Sequence, residues 1–162
     1  MYRFLVNNLI AVFFSISVLT LLSAYFIEYA LGYKPCNLCL IARIPYFFII
    51  IFCLFFFLFK QFKKILLKLI LISFVFSTLL AFYHYGIEQD FFDESLVCQI
   101  KWVGQSISTA ELLQELENNK SQSCKDVDFK IFGLSLTAIN FIISLTLSVI
   151  SFKYILKNEK NK

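Results

Sequence analysis

Four stretches of this sequence stay apolar for longer than a soluble protein can use. They span residues 4–30, 40–59, 69–85 and 131–152. About 20 helical residues cross the hydrocarbon core of a bilayer, with a working range of about 17–25. All four stretches meet that need, the third only just. Strands are excluded as spans, because open sheet edges go unsatisfied in lipid and the stretches lack the alternation of barrel strands. Composition agrees: 59% of the 162 residues are apolar, 16% are charged and 21 are Phe. A soluble domain is roughly half apolar and about a quarter charged, so lipid must take up the excess. The expected fold is an all-α membrane protein, a four-transmembrane-helix bundle forming a single domain over 1–162. Its outer loops cover residues 31–39 and 86–130. The first stretch is far longer than the roughly 7–15 residues of a signal-peptide core, and it is expected to be retained as a helix.

Lysines and arginines in short loops set orientation. Lys60, Lys63, Lys64 and Lys68 lie between the second and third stretches with no acid among them. Arg3 precedes the first stretch, and Lys153, Lys157, Lys160 and Lys162 follow the fourth. These three segments are expected on the cytoplasmic side, with both termini. Loops 31–39 and 86–130 then face outward, and the longer one holds nine acids against four lysines. The net charge of +4 is therefore a topology signal, and nucleic acid is not an expected partner. Within the long loop, Ser108-Thr109-Ala110-Glu111 reads as a capping box opening a short amphipathic helix. Leu112, Leu113 and Leu116 share one face of it, and Trp102 and Val103 lie just before. Such a helix covers the bundle mouth or lies in the interface; a docking surface for a partner protein is compatible with either.

The topology sorts the five cysteines. Cys36 and Cys39 lie in the first outer loop, Cys98 and Cys124 in the second, and Cys53 lies inside the second span. Disulfides persist in oxidising outer compartments. A structural staple suits Cys98 and Cys124, which would tie down a long loop. It suits Cys36-Asn37-Leu38-Cys39 poorly, because a bridge over two residues closes a tiny ring and adds little loop-closure stability. That spacing serves redox exchange or metal binding. Zinc sites usually show the short spacing twice; here it occurs once, and no metal is expected. Pro35 precedes the pair and an apolar helix starts there, so its N-terminus favours thiolate. Arg43, four residues past Cys39, would share a helix face with both cysteines. It favours thiolate, holds the oxygen of a reducible ligand, or only snorkels at the membrane edge. His84 and its neighbouring tyrosines form an interfacial belt or line a ligand site near Cys39. Glu88, four residues on, is placed to pair with it. Pro45 removes a helical hydrogen bond and should kink the second helix. Cys53 is 14 residues past Cys39, about 21 Å deeper at 1.5 Å per residue, and reads as a small apolar filler. Glu28, near the outer end of the first span, reads as interfacial or as part of the site.

Taken together, these residues resemble the DsbB family of disulfide-forming membrane proteins. The resemblance rests on Pro35-Cys36-Asn37-Leu38-Cys39 with Arg43, on Tyr83-His84 with Gly86 and Glu88, on Cys98 and Cys124, and on Phe132-Gly133-Leu134-Ser135. It covers nearly the whole chain. Ala42 departs from the family pattern, in which a polar residue often precedes the arginine. Glu28 also departs from it, standing where a neutral amide is more familiar. The resemblance implies a quinone-dependent, protein-disulfide-generating oxidoreductase of the bacterial inner membrane, its redox loops periplasmic. It would reoxidise a soluble DsbA-like thiol oxidase of thioredoxin fold and pass electrons to a membrane quinone, ubiquinone or menaquinone. Carried over by position, Cys98 would form the mixed disulfide with the partner and Cys124 would attack Cys36. Cys39 would donate electrons to the quinone, Arg43 would hold a quinone oxygen, and His84 would line the pocket. A vitamin-K-epoxide-reductase-like protein places its loop pair early and its C-x-x-C late, the reverse of this order. A small channel or assembly subunit with two structural disulfides is the non-enzymatic alternative.

Overall fold

The computed structural model describes residues 2–33, 35–94, 96–99, 124–125, 130–131 and 133–160. Helix α1 covers Tyr2–Tyr29, α2 Asn37–Ile41, α3 Ile44–Leu58, α4 Lys63–Glu88, α5 Leu96–Gln99 and α6 Leu136–Lys160. A two-stranded antiparallel hairpin, β1 (Lys130–Ile131) with β2 (Leu134–Ser135), precedes α6, with Ile131 opposite Leu134. Gly133 turns the hairpin at φ +82°, a conformation that suits a residue without Cβ. Four helical segments of the described residues are long and apolar enough to cross a membrane: Asn7–Tyr29, Asn37–Leu58, Lys63–Glu88 and Leu136–Lys157.

The helices outrun the apolar stretches because lysines are good helix formers and their charged ends reach out of lipid. Thus α4 takes in Lys63, Lys64 and Lys68 and has 26 residues, so the third span is not short. The fourth helix starts later than its apolar stretch, since the hairpin occupies 130–135. Ser135 Oγ then caps α6 by accepting from the Ala138 amide at 3.1 Å, as N-cap serines do. The second span is interrupted outright. Helix α2 stops at Ile41, Ala42 and Arg43 form a turn, and α3 restarts at Ile44 with Pro45 in its first turn. There the missing N–H costs nothing. The expected Pro45 kink is a break, placed just ahead of the proline.

The bundle is apolar outside and closely packed inside. Leu19, Leu22, Phe26, Leu58 and Leu79 are exposed, as suits helices facing lipid. Ile10, Phe13, Tyr46, Ile49, Phe56, Ile70 and Phe74 form the buried core, with the Phe13 and Phe74 rings edge to face at 5.2 Å. Ser17, Ser77, Ser144 and Ser151 are buried between helices, and such small residues let helices approach closely in lipid. Helix α4 packs against α3 and α6, and α1 against α3. Tyr46 on α3 donates to Asn140 Oδ1 on α6 at 2.6 Å. The amphipathic helix expected from Ser108 through Leu116, with Trp102 and Val103 before it, lies outside the described residues.

Candidate functional site

The site sits where the broken second span meets the end of α4. Cys36 is the N-cap of α2, and its Sγ accepts from the Cys39 amide at 3.3 Å. The same sulfur lies 2.7 Å from Cys39 Sγ and 3.5 Å from His84 Nε2. Three groups converge on this one sulfur, and Cys36 is only 6% exposed. The hydrogen bond from the Cys39 thiol does most to favour thiolate at Cys36. The hydrogen bond and charge of His84 add to it, as does the Cys39 amide, while burial opposes them; the net result lowers the Cys36 pKa to about 5. Helix α2 has only five residues, so the favouring of thiolate is local hydrogen bonding more than the long helix dipole expected from the sequence.

The second pair is brought to the first by a turn. After α4, Phe91 and Phe92 donate their amides to the Gly86 carbonyl at 2.8 and 3.2 Å, and Asp90 takes a left-handed conformation at φ 59°. The chain folds back so closely that a Cβ on Gly86 would collide with the Phe92 ring. This reversal sets α5 against α2, where Asn37 Nδ2 donates to the Val97 carbonyl at 2.8 Å. Cys98 is disulfide-bonded to Cys124, while Cys36, Cys39 and Cys53 are free thiols. Cys36, Leu38, Ile87, Cys98 and Cys124 form one buried apolar cluster, with Cys39, Tyr83 and Val97 packed on it. Lys125 is tied to Asp90 at 2.6 Å, and its amide reaches Glu94 at 3.3 Å. These contacts anchor the chain beside Cys124 to the end of α4.

A cavity of about 470 Å³ opens beside the first pair. Its walls are largely apolar, from Ile16, Leu19 and Ile27 on α1 and Leu136, Ile139 and Ile143 on α6. Ionisable groups also line it, Cys36, Cys39, Arg43, Glu28, His84 and Glu88, as does Cys124. Arg43 does not continue a helical face with the cysteines, since the helix breaks at Arg43 itself, yet the turn still directs it into the same cavity. There its Nη1 donates to Glu28 Oε2 at 2.5 Å, and its guanidinium lies 4.7 Å from the centre of the Tyr25 ring. Glu28 is thus a site residue and not merely interfacial. His84 is buried against Cys36 rather than forming a belt, and no bond joins it to Glu88 among the described residues. Cys53 is fully buried in the bundle core, away from both pairs.

An apolar chamber with a few convergent polar groups is the usual form of a small-molecule site. Two thiols within bonding reach, one held as thiolate, can exchange disulfides. The sulfurs of Cys36 and Cys39 and a nitrogen of His84 lie within 4.8 Å of one another, so these donors could also hold a soft cation. The sequence reading missed Tyr46 and Asn140, which line the same cavity. Asn140 had a signal: it is an amide within a transmembrane helix, where polar groups are costly and often functional.

The family model for "Disulfide bond formation protein DsbB" matches the chain over residues 6–153. The uncharacterized protein RP370 of Rickettsia prowazekii (strain Madrid E) is 32% identical over 148 residues, covering 91% of this chain and 85% of that protein. No solved structure matches.

Proposed function

Because the chain belongs to the family of disulfide bond formation protein DsbB, we propose that it reoxidises a DsbA-like, thioredoxin-fold thiol oxidase and delivers the electrons to a membrane quinone. The observation that carries this reading is the packing of both cysteine pairs in one buried cluster on the wall of an apolar cavity. The lysine clusters favour an inner-membrane topology with cytoplasmic termini and both redox loops periplasmic.

Thiol–disulfide exchange goes by thiolate attack through a mixed disulfide. A partner thiolate attacks Cys98, breaking the Cys98–Cys124 bond and releasing Cys124 as thiolate. Cys124 attacks Cys36 of an oxidised Cys36–Cys39 pair, and Cys39 leaves as thiolate. The partner's second thiol displaces Cys98 and departs oxidised. Cys98 then attacks Cys124, restoring the loop disulfide and leaving Cys36 and Cys39 reduced.

The cavity suits a quinone: its walls are largely apolar, and Cys39, Arg43 and His84 all line it. A bound quinone supplies a two-electron, two-proton acceptor. Arg43 holds an acceptor oxygen with guanidinium N–H groups not engaged by Glu28, since arginine has five. His84 adds to the Cys39 hydrogen bond in keeping Cys36 as thiolate, and the apolar walls exclude water from the sulfurs. Replacing Arg43 by Gln should raise the apparent KM for quinone by about tenfold or more, the usual weight of a charge-assisted hydrogen bond. Exchange between the cysteine pairs should survive. Quinone kinetics unchanged in that variant would remove Arg43 from the site.

A further inference from the structure

Glu28 is an acid within the first span, where an ionised group is costly and marks function more often than packing. Its partner is the one arginine or lysine on the cavity wall among the described residues, and the pair is largely buried, with side-chain exposures of 22% for Glu28 and 11% for Arg43. Glu88 also lines the cavity. Apart from His84, which is engaged with the Cys36 sulfur, the charged lining is one arginine against two acids, and the arginine is matched by Glu28. The Tyr46–Asn140 pair on the same cavity is uncharged.

From this juxtaposition we infer that Glu28 is a specificity-determining residue: it cancels the charge of Arg43, so that the cavity accepts uncharged acceptors and rejects anionic ones. The inference rests on the reading that the cavity takes a quinone. Without Glu28, the arginine would be a fixed positive charge in an apolar chamber, and such a site attracts carboxylates, phosphates and ionised phenols. With Glu28 in place, Arg43 keeps N–H donors for a neutral carbonyl oxygen but offers no net attraction to an anion. Tyr25 and Glu28, one turn apart on α1, hold the guanidinium from the same side. Glu28 thus positions Arg43 as well as neutralising it.

The test uses matched ligands: a hydroxynaphthoquinone in its ionised form and its neutral methyl ether. Both are titrated into the detergent-purified full chain with both cysteine pairs oxidised, so that no electrons pass and binding alone is read. The wild type should prefer the ether. Glu28→Gln should shift the affinity ratio towards the anion by roughly tenfold or more, the effect of unmasking a charge within several ångströms at an intermediate dielectric. Glu28→Asp, which keeps the charge, should retain the wild-type preference. Arg43→Gln should move the ratio the opposite way, and it carries the test if Glu28→Gln fails to fold. A ratio unmoved by Arg43→Gln and by any folded Glu28→Gln, with both probes still binding, overturns the charge-selection role while leaving the quinone reading intact. Failure of the wild type to bind either probe overturns both.

Discussion

The two cysteine pairs differ in how they are built. Cys36 and Cys39 are three positions apart, and the start of α2 brings their sulfurs together. Cys98 and Cys124 are 26 positions apart; the reversal at Gly86 sets Cys98 beside the first pair, and Cys124 is joined to Cys98. One pair belongs to the bundle and the other is delivered to it. Cys36, Cys98 and Cys124 are buried, and Cys124 lines the cavity with Cys36 and Cys39; under the proposed function the fixed pair serves the quinone and the delivered pair the soluble partner. Cys53 sits fully buried among apolar side chains, without the polar groups that surround Cys36.

The largest predicted effects come from separating the pairs. Replacing Cys36 or Cys39 by Ser should abolish quinone reduction from any thiol donor. Replacing Cys98 and Cys124 by Ser should abolish oxidation of a protein partner yet leave quinone reduction by a small dithiol, read as quinone absorbance. If the loop variants lost both activities, the pairs would not divide the work as described.

A smaller effect should follow from Gly86→Ala. The added methyl meets the Phe92 ring, and overpacking of this kind costs about 1–3 kcal/mol. It should loosen the reversal that docks α5 on α2. Partner oxidation should slow severalfold while small-dithiol turnover holds, and equal loss of both would mean Gly86 supports the whole bundle.

The chemistry of Cys36 predicts a pH signature. With its pKa lowered to about 5, the reduced protein gains stability from the thiolate. That contribution is complete above the ordinary thiol pKa of about 8.5. Because the folded-state value is the lower one, the contribution fades as pH falls and is gone below about 5. Cys36 alkylation should therefore have a midpoint near 5 in the wild type, and a higher one in His84→Ala. An unchanged midpoint in that variant would remove His84 as a partner of the thiolate. The smallest effect belongs to Cys53→Ala, which should keep full activity and cost roughly 1 kcal/mol of stability through a small cavity.

Much of this was legible in the sequence, for identifiable reasons. Lipid imposes long apolar helices, so four spans could be read from length alone. The C-x-x-C stood out because its ring is too small for a staple. Helix ends were less legible: lysines extend α4 beyond its apolar stretch, and the turn at Gly133 delays α6. The break at Ala42–Arg43 was read as a kink, because a proline reports disturbance but not its form. Glu28 and His84 were ambiguous for a shared reason. Both lie at the membrane boundary by position, where an exposed belt residue and a buried site residue look alike. Only the packing of α1 and α4 around the cavity separates them. Tyr46 and Asn140 are brought together by tertiary packing across 94 positions, which no local pattern reports.

The most direct test follows electrons from one pair to the other. Detergent-purified protein is mixed with a reduced thioredoxin-fold oxidase and a soluble quinone, and quinone absorbance is followed in the wild type and in single Ser variants of each cysteine. The account predicts loss of quinone absorbance that requires Cys36, Cys39, Cys98 and Cys124 but not Cys53. Quinone loss that persists without Cys36 and Cys39 would contradict it.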